Sequence, residues 1–145
     1  MTRAEQAKKY FTEGYNCSQA VVLAFADLTG APREVLERIA LPMGGGMGRL
    51  RETCGGVSGA AMTIGLLFPA LTKSEIYALV QEFALKFKAK NGSYNCGELL
   101  AGTGASCSPN AEPRTAEYYQ KRPCADLVAD AVQLLEELCK EHGRL

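Results

Sequence analysis

Six cysteines, Cys17, Cys54, Cys96, Cys107, Cys124 and Cys139, are the residues of this 145-residue chain best suited to chemistry, beside a single histidine and no tryptophan. Their spacing excludes several familiar arrangements. No C-x-x-C pair occurs, so the thioredoxin motif and the zinc-ribbon pairing are absent. No C-x-x-C-H attaches a haem, and the ferredoxin spacings are missing. His142 alone builds neither a catalytic triad nor an H-E-x-x-H zinc site. A shared site therefore needs single sulfurs contributed by separate elements.

Four cysteines have a common local context. Cys17 follows Asn16, Cys54 follows Thr53, Cys96 follows Asn95 and Cys124 follows Pro123. Asn and Thr cap helices, and Pro suits a first turn, so each of the four is predicted in the first turn of a helix. Unpaired N–H groups and the positive helix pole favour a thiolate there, which predicts lowered thiol pKa values. Thiolates attack disulfides and bind metals. Cys139 lies about 22 Å along the last helix from Cys124 and cannot share a metal with it. It reads as a small hydrophobe beside Leu135 and Leu138. Cys107 falls in an irregular segment. The competing reading, that these are scattered core cysteines, stays open at this point.

The positioning elements read as helix after helix. Thr2-Arg3-Ala4-Glu5 is a capping box, and Gly14 ends the helix it starts. Asn16 opens a second helix, nearly uncharged from Ala20 to Leu28 and closed by Gly30. Pro32 starts a third, with Val35, Leu36 and Ile39 on one side. Pro42 and the run Met43-Gly44-Gly45-Gly46-Met47-Gly48 break the chain. A fourth helix, Thr53 to about Leu67, carries no charge. Gly55, Gly56, Gly59 and Ala60 leave one side small enough for another backbone to approach closely, which makes it the expected central helix. Thr72-Lys73-Ser74-Glu75 caps an amphipathic helix with Ile76, Leu79, Val80, Phe83 and Phe87 at helical spacing, ended by Gly92. Cys96 to Leu100 form a short helix. Ala101 to Arg122 is irregular, with a turn near Thr115 to Tyr119, and Pro123 starts a last helix reaching about Lys140. No alternating strand pattern, repeat or domain boundary appears. The expectation is an all-α, single-domain bundle of six to seven helices over residues 1–145.

Composition narrows the function classes. Sixteen basic and sixteen acidic residues give a net charge of zero, and 47% of residues are hydrophobic. Nothing there calls for nucleic acid, and the apolar content excludes disorder. Lys86, Lys88 and Lys90 read as a solvated helix face. No stretch has the roughly 20 apolar residues of a spanning helix, and the opening residues show no export signal, so a reducing cytoplasmic setting is expected. A homodimer that buries part of the fourth helix is a further expectation.

At these residues the chain resembles a known family. Gly14-Tyr15-Asn16-Cys17-Ser18-Gln19-Ala20, Gly44-Gly45-Gly46-Met47-Gly48, Cys54-Gly55-Gly56-Val57-Ser58-Gly59-Ala60, the stretch from Phe87 to Cys96, and Pro123-Cys124 look like the C_GCAxxG_C_C family, whose members are described as redox-active. The family's four cysteines fall on Cys17, Cys54, Cys96 and Cys124. One departure is Gly56, where the family motif has Ala. Redox activity is what the resemblance implies.

Three readings follow. The four cysteines hold a metal, an iron–sulfur cluster or zinc, and exchange electrons with a redox partner whose identity the sequence does not give. Or they are metal-free redox thiols, two of them pairing reversibly. Or the chain is an interaction module with core cysteines. Other groups weigh less. The glycine run reads as a flexible connection rather than an anion cradle, since it lacks the P-loop lysine. Arg49 and Arg51 either stabilise a nearby thiolate or sit in solvent. Tyr15 and Tyr94 either wall a redox pocket or pack at helix starts. Ser58 bonds into the site or back onto its own helix. His142 reads as a frayed-tail residue, and Glu136 and Glu137 as exposed.

Overall fold

The computed structural model describes all 145 residues, and every regular element is helical. Nine α-helices follow in order: α1 (Arg3–Thr12), α2 (Cys17–Ala24), α3 (Ala26–Thr29), α4 (Arg33–Ala40), α5 (Gly55–Leu67), α6 (Lys73–Asn91), α7 (Cys96–Leu99), α8 (Ala116–Lys121) and α9 (Cys124–Glu141). A 3-10 turn, Leu41–Met43, follows α4. The all-α reading holds, with three of the helices only four to six residues long.

Local chemistry sets the helix starts. Thr2, Asn16 and Thr72 each accept the N–H three residues on, and Glu5, Gln19 and Glu75 bond back to complete three capping boxes. Gly30 and Gly92 close α3 and α6 in left-handed geometry. The expected continuous helix from Asn16 to Gly30 is interrupted at Phe25, whose backbone (φ −112°, ψ 11°) turns the chain. Phe25 is fully buried, and Arg3 lies 4.9 Å over its ring. A buried aromatic contact bends the chain where the sequence offers no glycine or proline.

Helix α5 is the centre of the fold. It packs on α2, α6 and α9, and Val57, Ala60, Ile64 and Leu67 are buried within one continuous core with Phe83, Phe87, Val128 and Leu135. One strip of the helix stays open, with Gly65 exposed and Leu66 42% exposed. Glycines set its separation from α2. A Cβ on Gly59 would lie 2.8 Å from the Ser18 carbonyl oxygen, and one on Gly55 would lie 2.9 Å from the Cys17 Cβ. Ala131 of α9 stands 3.3 Å from a Cβ placed on Gly56.

One expectation about α4 is overturned. Leu36 is buried against Val22 and Leu23, but Val35 and Ile39 are 52% and 59% exposed. A helix of eight residues on the outside of α2 buries only one line of side chains. His142, expected in a frayed tail, caps α9 and pairs with Glu82, Nε2 to Oε2 3.1 Å. Lys86 bridges Glu82 and Glu141 at 3.4 and 3.2 Å, as a solvated face would.

Two alanine substitutions in α5 are expected to move stability in opposite directions. Gly59→Ala overpacks the α2 contact and should cost about 1–3 kcal/mol. Gly65→Ala, exposed and with nothing within 4 Å of the new methyl, should stabilise by about 0.5–1 kcal/mol. Chemical denaturation of both variants measures this, and equal effects would refute the close-approach account.

Candidate functional site

The local backbone brings each of the four cysteines to a helix start. Cys17, Cys96 and Cys124 are the first residues of α2, α7 and α9, and Cys54 is the N-cap of α5. Asn16 and Asn95 cap the first two through side-chain oxygens 2.9 Å from the Gln19 and Glu98 nitrogens. Cys54 and Cys96 are further linked by a feature with no sequence signature. Thr53 and Asn95 form an isolated antiparallel bridge, in which the Cys54 N–H donates to the Tyr94 carbonyl at 2.8 Å and the Cys96 N–H to that of Glu52.

All four cysteines line one cavity of about 440 Å³. Cys54, Cys96 and Cys124 are buried and Cys17 is half-buried. Cys139 lies in the core with Leu135 and Leu138, away from the cavity, and Cys107 is exposed, its Sγ 3.9 Å from the Leu50 carbonyl. All six are free thiols. The sulfurs surround the cavity rather than crowd one point. No three of them lie within 4.8 Å of one another; the one group of metal-ligand types that close is Glu82, Glu141 and His142 on the surface.

The expectation of four lowered thiol pKa values holds for Cys124 alone. Burial pushes the Cys54 thiol up to about 12, although the nearby Gly56 and Val57 N–H groups favour its ionised form. Burial also raises Cys96, against the opposing effect of Arg51. Cys17 is raised well above the ordinary value by its interaction with Cys124, and burial adds to this. The same interaction lowers Cys124, helped by Arg122, Arg114 and Arg51 against burial. The two shifts of the pair thus run in opposite directions. Desolvation outweighs the helix pole at Cys54 and Cys96, and the mutual interaction leads at Cys17 and Cys124.

The arginines are the part of the site that sequence reasoning largely missed. Arg49, Arg51, Arg114 and Arg122 all line the cavity, with Glu112 as its one carboxylate. Arg51, expected near Cys54, instead places Nη1 3.8 Å from the Cys96 sulfur. Arg49 and Arg122 both reach Glu112, each at 2.9 Å from its Oε1. Arg114 donates to the carbonyls of Phe11 and Tyr15 at 2.8 and 3.1 Å. Arg114, Arg122 and Glu112 come from the irregular segment before α9, where only their charge could have marked them.

The glycine run is a shaped wall, not the flexible connection expected. Gly45, Gly46, Met47, Gly48 and Arg49 all have positive φ, between 56° and 71°. Non-glycine residues adopt this left-handed geometry at a cost of about 1–2 kcal/mol each. A Cβ on Gly44 would fall 2.3 Å from the Asn16 amide nitrogen, and one on Gly46 2.6 Å from the Cys96 Cβ. The loop is wedged between the starts of α2 and α7. Tyr15 and Tyr94 follow the packing reading: Tyr15 bonds Glu37 at 2.8 Å, and Tyr94 stacks under Lys88. Ser58 bonds back to Gly55 at 3.3 Å.

The family model described as "Putative redox-active protein (C_GCAxxG_C_C)" matches residues 15–138. An uncharacterized protein of Archaeoglobus fulgidus is 26% identical over 151 residues, covering 92% of this chain and 93% of the relative. No solved structure matches.

The raised thiols predict an alkaline loss of stability. Folded Cys54 keeps its proton while the unfolded chain releases one above about pH 8.5, so stability falls as pH rises from there toward about 12. The slope is at most about 1.4 kcal/mol per pH unit for this group. Denaturation of the reduced protein between pH 7 and 10.5 should show the decline, and Cys54→Ala should flatten it. An identical slope in that variant would show that another group is responsible.

Proposed function

Since the chain belongs to the C_GCAxxG_C_C family of redox-active proteins, we propose that Cys17, Cys54, Cys96 and Cys124 act together as its redox centre and hold an iron–sulfur cluster. The observation that carries this reading is the arrival of four cysteines from four separate helix starts at one arginine-walled cavity. Cys54, Cys96 and Cys124 share the apolar core with Cys139, but unlike it they also line the cavity. When bound, a cluster supplies one-electron chemistry at a potential set by its charge and surroundings.

The donor set suits a group wider than one ion. Four sulfurs around a single zinc sit about 3.8 Å apart, from a Zn–S length of about 2.3 Å. Here no three sulfurs come within 4.8 Å. Arg51 beside Cys96, and Arg114 and Arg122 acting on Cys124, offset the negative charge that thiolate ligands bring. Because Cys17, Cys54 and Cys96 hold their protons in the metal-free chain, loading releases protons and strengthens as pH rises. The electron partner is a separate molecule, and the reducing cytoplasm is the setting in which these thiols stay free. No helix is long and apolar enough to cross a membrane.

A second reading rests on one specific feature, the interaction of Cys17 with Cys124 on the same cavity wall. The Cys124 thiolate would attack a partner's disulfide, and Cys17 would then resolve the mixed disulfide. The products are a Cys17–Cys124 disulfide and a reduced partner dithiol, two electrons having passed to the partner. This account leaves Cys54, Cys96 and most of the cavity without a task, so it ranks second.

Anaerobic purification and reconstitution separate the two. The cluster reading expects a coloured protein with iron and sulfide in equal amounts, lost on Cys54→Ser or Cys96→Ser. A colourless, iron-free protein whose thiol count falls by two on mild oxidation, with Cys17 and Cys124 joined, would replace it with the dithiol reading.

A further inference from the structure

The charges around the cavity do not balance. Four guanidinium groups face a single carboxylate, Glu112, and that carboxylate is already shared by Arg49 and Arg122. Arg51 and Arg114 have no carboxylate partner: their bonds run to carbonyl oxygens and to the Cys96 sulfur. Carbonyls satisfy N–H donors but do not neutralise charge. A partly buried cavity with surplus positive charge favours a bound anion.

The donors available are also specific. Arg51 Nη2 is buried and without a partner. Gly45 and Gly46 line the same cavity, and neither of their N–H groups has an acceptor in the protein, while the N–H groups from Met47 to Glu52 all do. Gly46 is buried against Cys96 and Arg51, and buried N–H groups without partners are rare. One guanidinium arm without a partner and two successive backbone N–H groups without acceptors thus belong to residues that line one cavity with Cys96.

We propose that Arg51 with the Gly45 and Gly46 N–H groups forms a binding site for a small inorganic oxyanion next to the four cysteines. Aromatic contacts argue against a nucleotide. Phe11 and Tyr118 are the aromatic residues of the cavity wall, and their faces are taken by guanidinium groups: Arg114 lies 4.3 Å from the Phe11 ring centre and Arg122 5.0 Å from that of Tyr118. No ring remains to stack a base. The site stands on arginine and backbone donors of the metal-free chain. It places a ligand where electrons from a cluster or a dithiol would reach it.

Titration of the reduced, metal-free full chain with sulfate, at ionic strength fixed with chloride, tests this independently of any cluster. Amide NMR signals of Gly45 and Gly46 should move and saturate, and Arg51→Gln should weaken binding about tenfold or more. Lys90→Gln, which removes a surface ion pair to Asp130, should leave the affinity unchanged. Gly45 and Gly46 signals that stay put in the wild-type protein would overturn the site. So would a linear response matched by chloride, or an equal loss in Lys90→Gln. The wild-type titration decides the matter even where Arg51→Gln folds poorly.

Discussion

The contact between α2 and α5 is the constraint on which the site depends. Gly59 seats its helix directly on the Ser18 carbonyl, and Gly55 does the same against Cys17. Any side chain at those two positions would push the helix starts apart, and with them Cys17 and Cys54. Helix propensity runs against this choice, since each interior glycine costs about 1 kcal/mol relative to alanine. The offset comes from burial: Ala60, Ile64 and Leu67 on α5 and Ala20 and Val21 on α2 have essentially no exposed surface. Small residues here exchange local stability for the separation of two sulfurs.

Once the helix starts meet, two electrostatic effects compete at each sulfur. Orphan N–H groups and the helix pole favour thiolate, and desolvation favours thiol. Cys54 shows the balance most directly. The nearby Gly56 and Val57 N–H groups favour its ionised form, and burial still pushes it up to about 12. Cys124 differs because its interaction with Cys17 favours the ionised form most, and the charges of Arg122, Arg114 and Arg51 act in the same direction. The result is a graded set of thiols, one poised and three held in reserve. That grading suits a centre that loads its ligands stepwise or lets one sulfur act first.

The helices were legible from the sequence because their signals are local. Capping boxes at Thr2, Asn16 and Thr72, and the glycine stops at Gly30 and Gly92, act through neighbours within a few residues. The small face of α5 and the core role of Cys139 were legible for the same reason. The break at Phe25, the outward turn of Val35 and Ile39 and the bridge between Thr53 and Asn95 were not, because each is decided by contacts distant in sequence. At the site, the four cysteines could be picked out by their capping context. Their ionisation could not, since burial and the arginines of the segment before α9 are properties of the folded chain.

Those arginines join the two irregular parts of the chain. Arg49 donates to the carbonyls of Ser108 and Asn110, and Arg51 to that of Ser106 at 2.9 Å. The left-handed loop thus holds down the strap between α7 and α8, which supplies Pro109, Ala111 and Glu112 to the cavity wall. The helical side of the cavity is fixed by apolar packing, and the opposite side by charge-assisted bonds to carbonyls. Packing resists change in the centre's surroundings, whereas a guanidinium can exchange a carbonyl for a better acceptor. Arg49 and Arg51 are therefore the clasp of the strap. Arg51 keeps one arm, Nη2, off these carbonyls, so a negative charge taken up there would leave the bonds to Ser106, Ser108 and Asn110 in place.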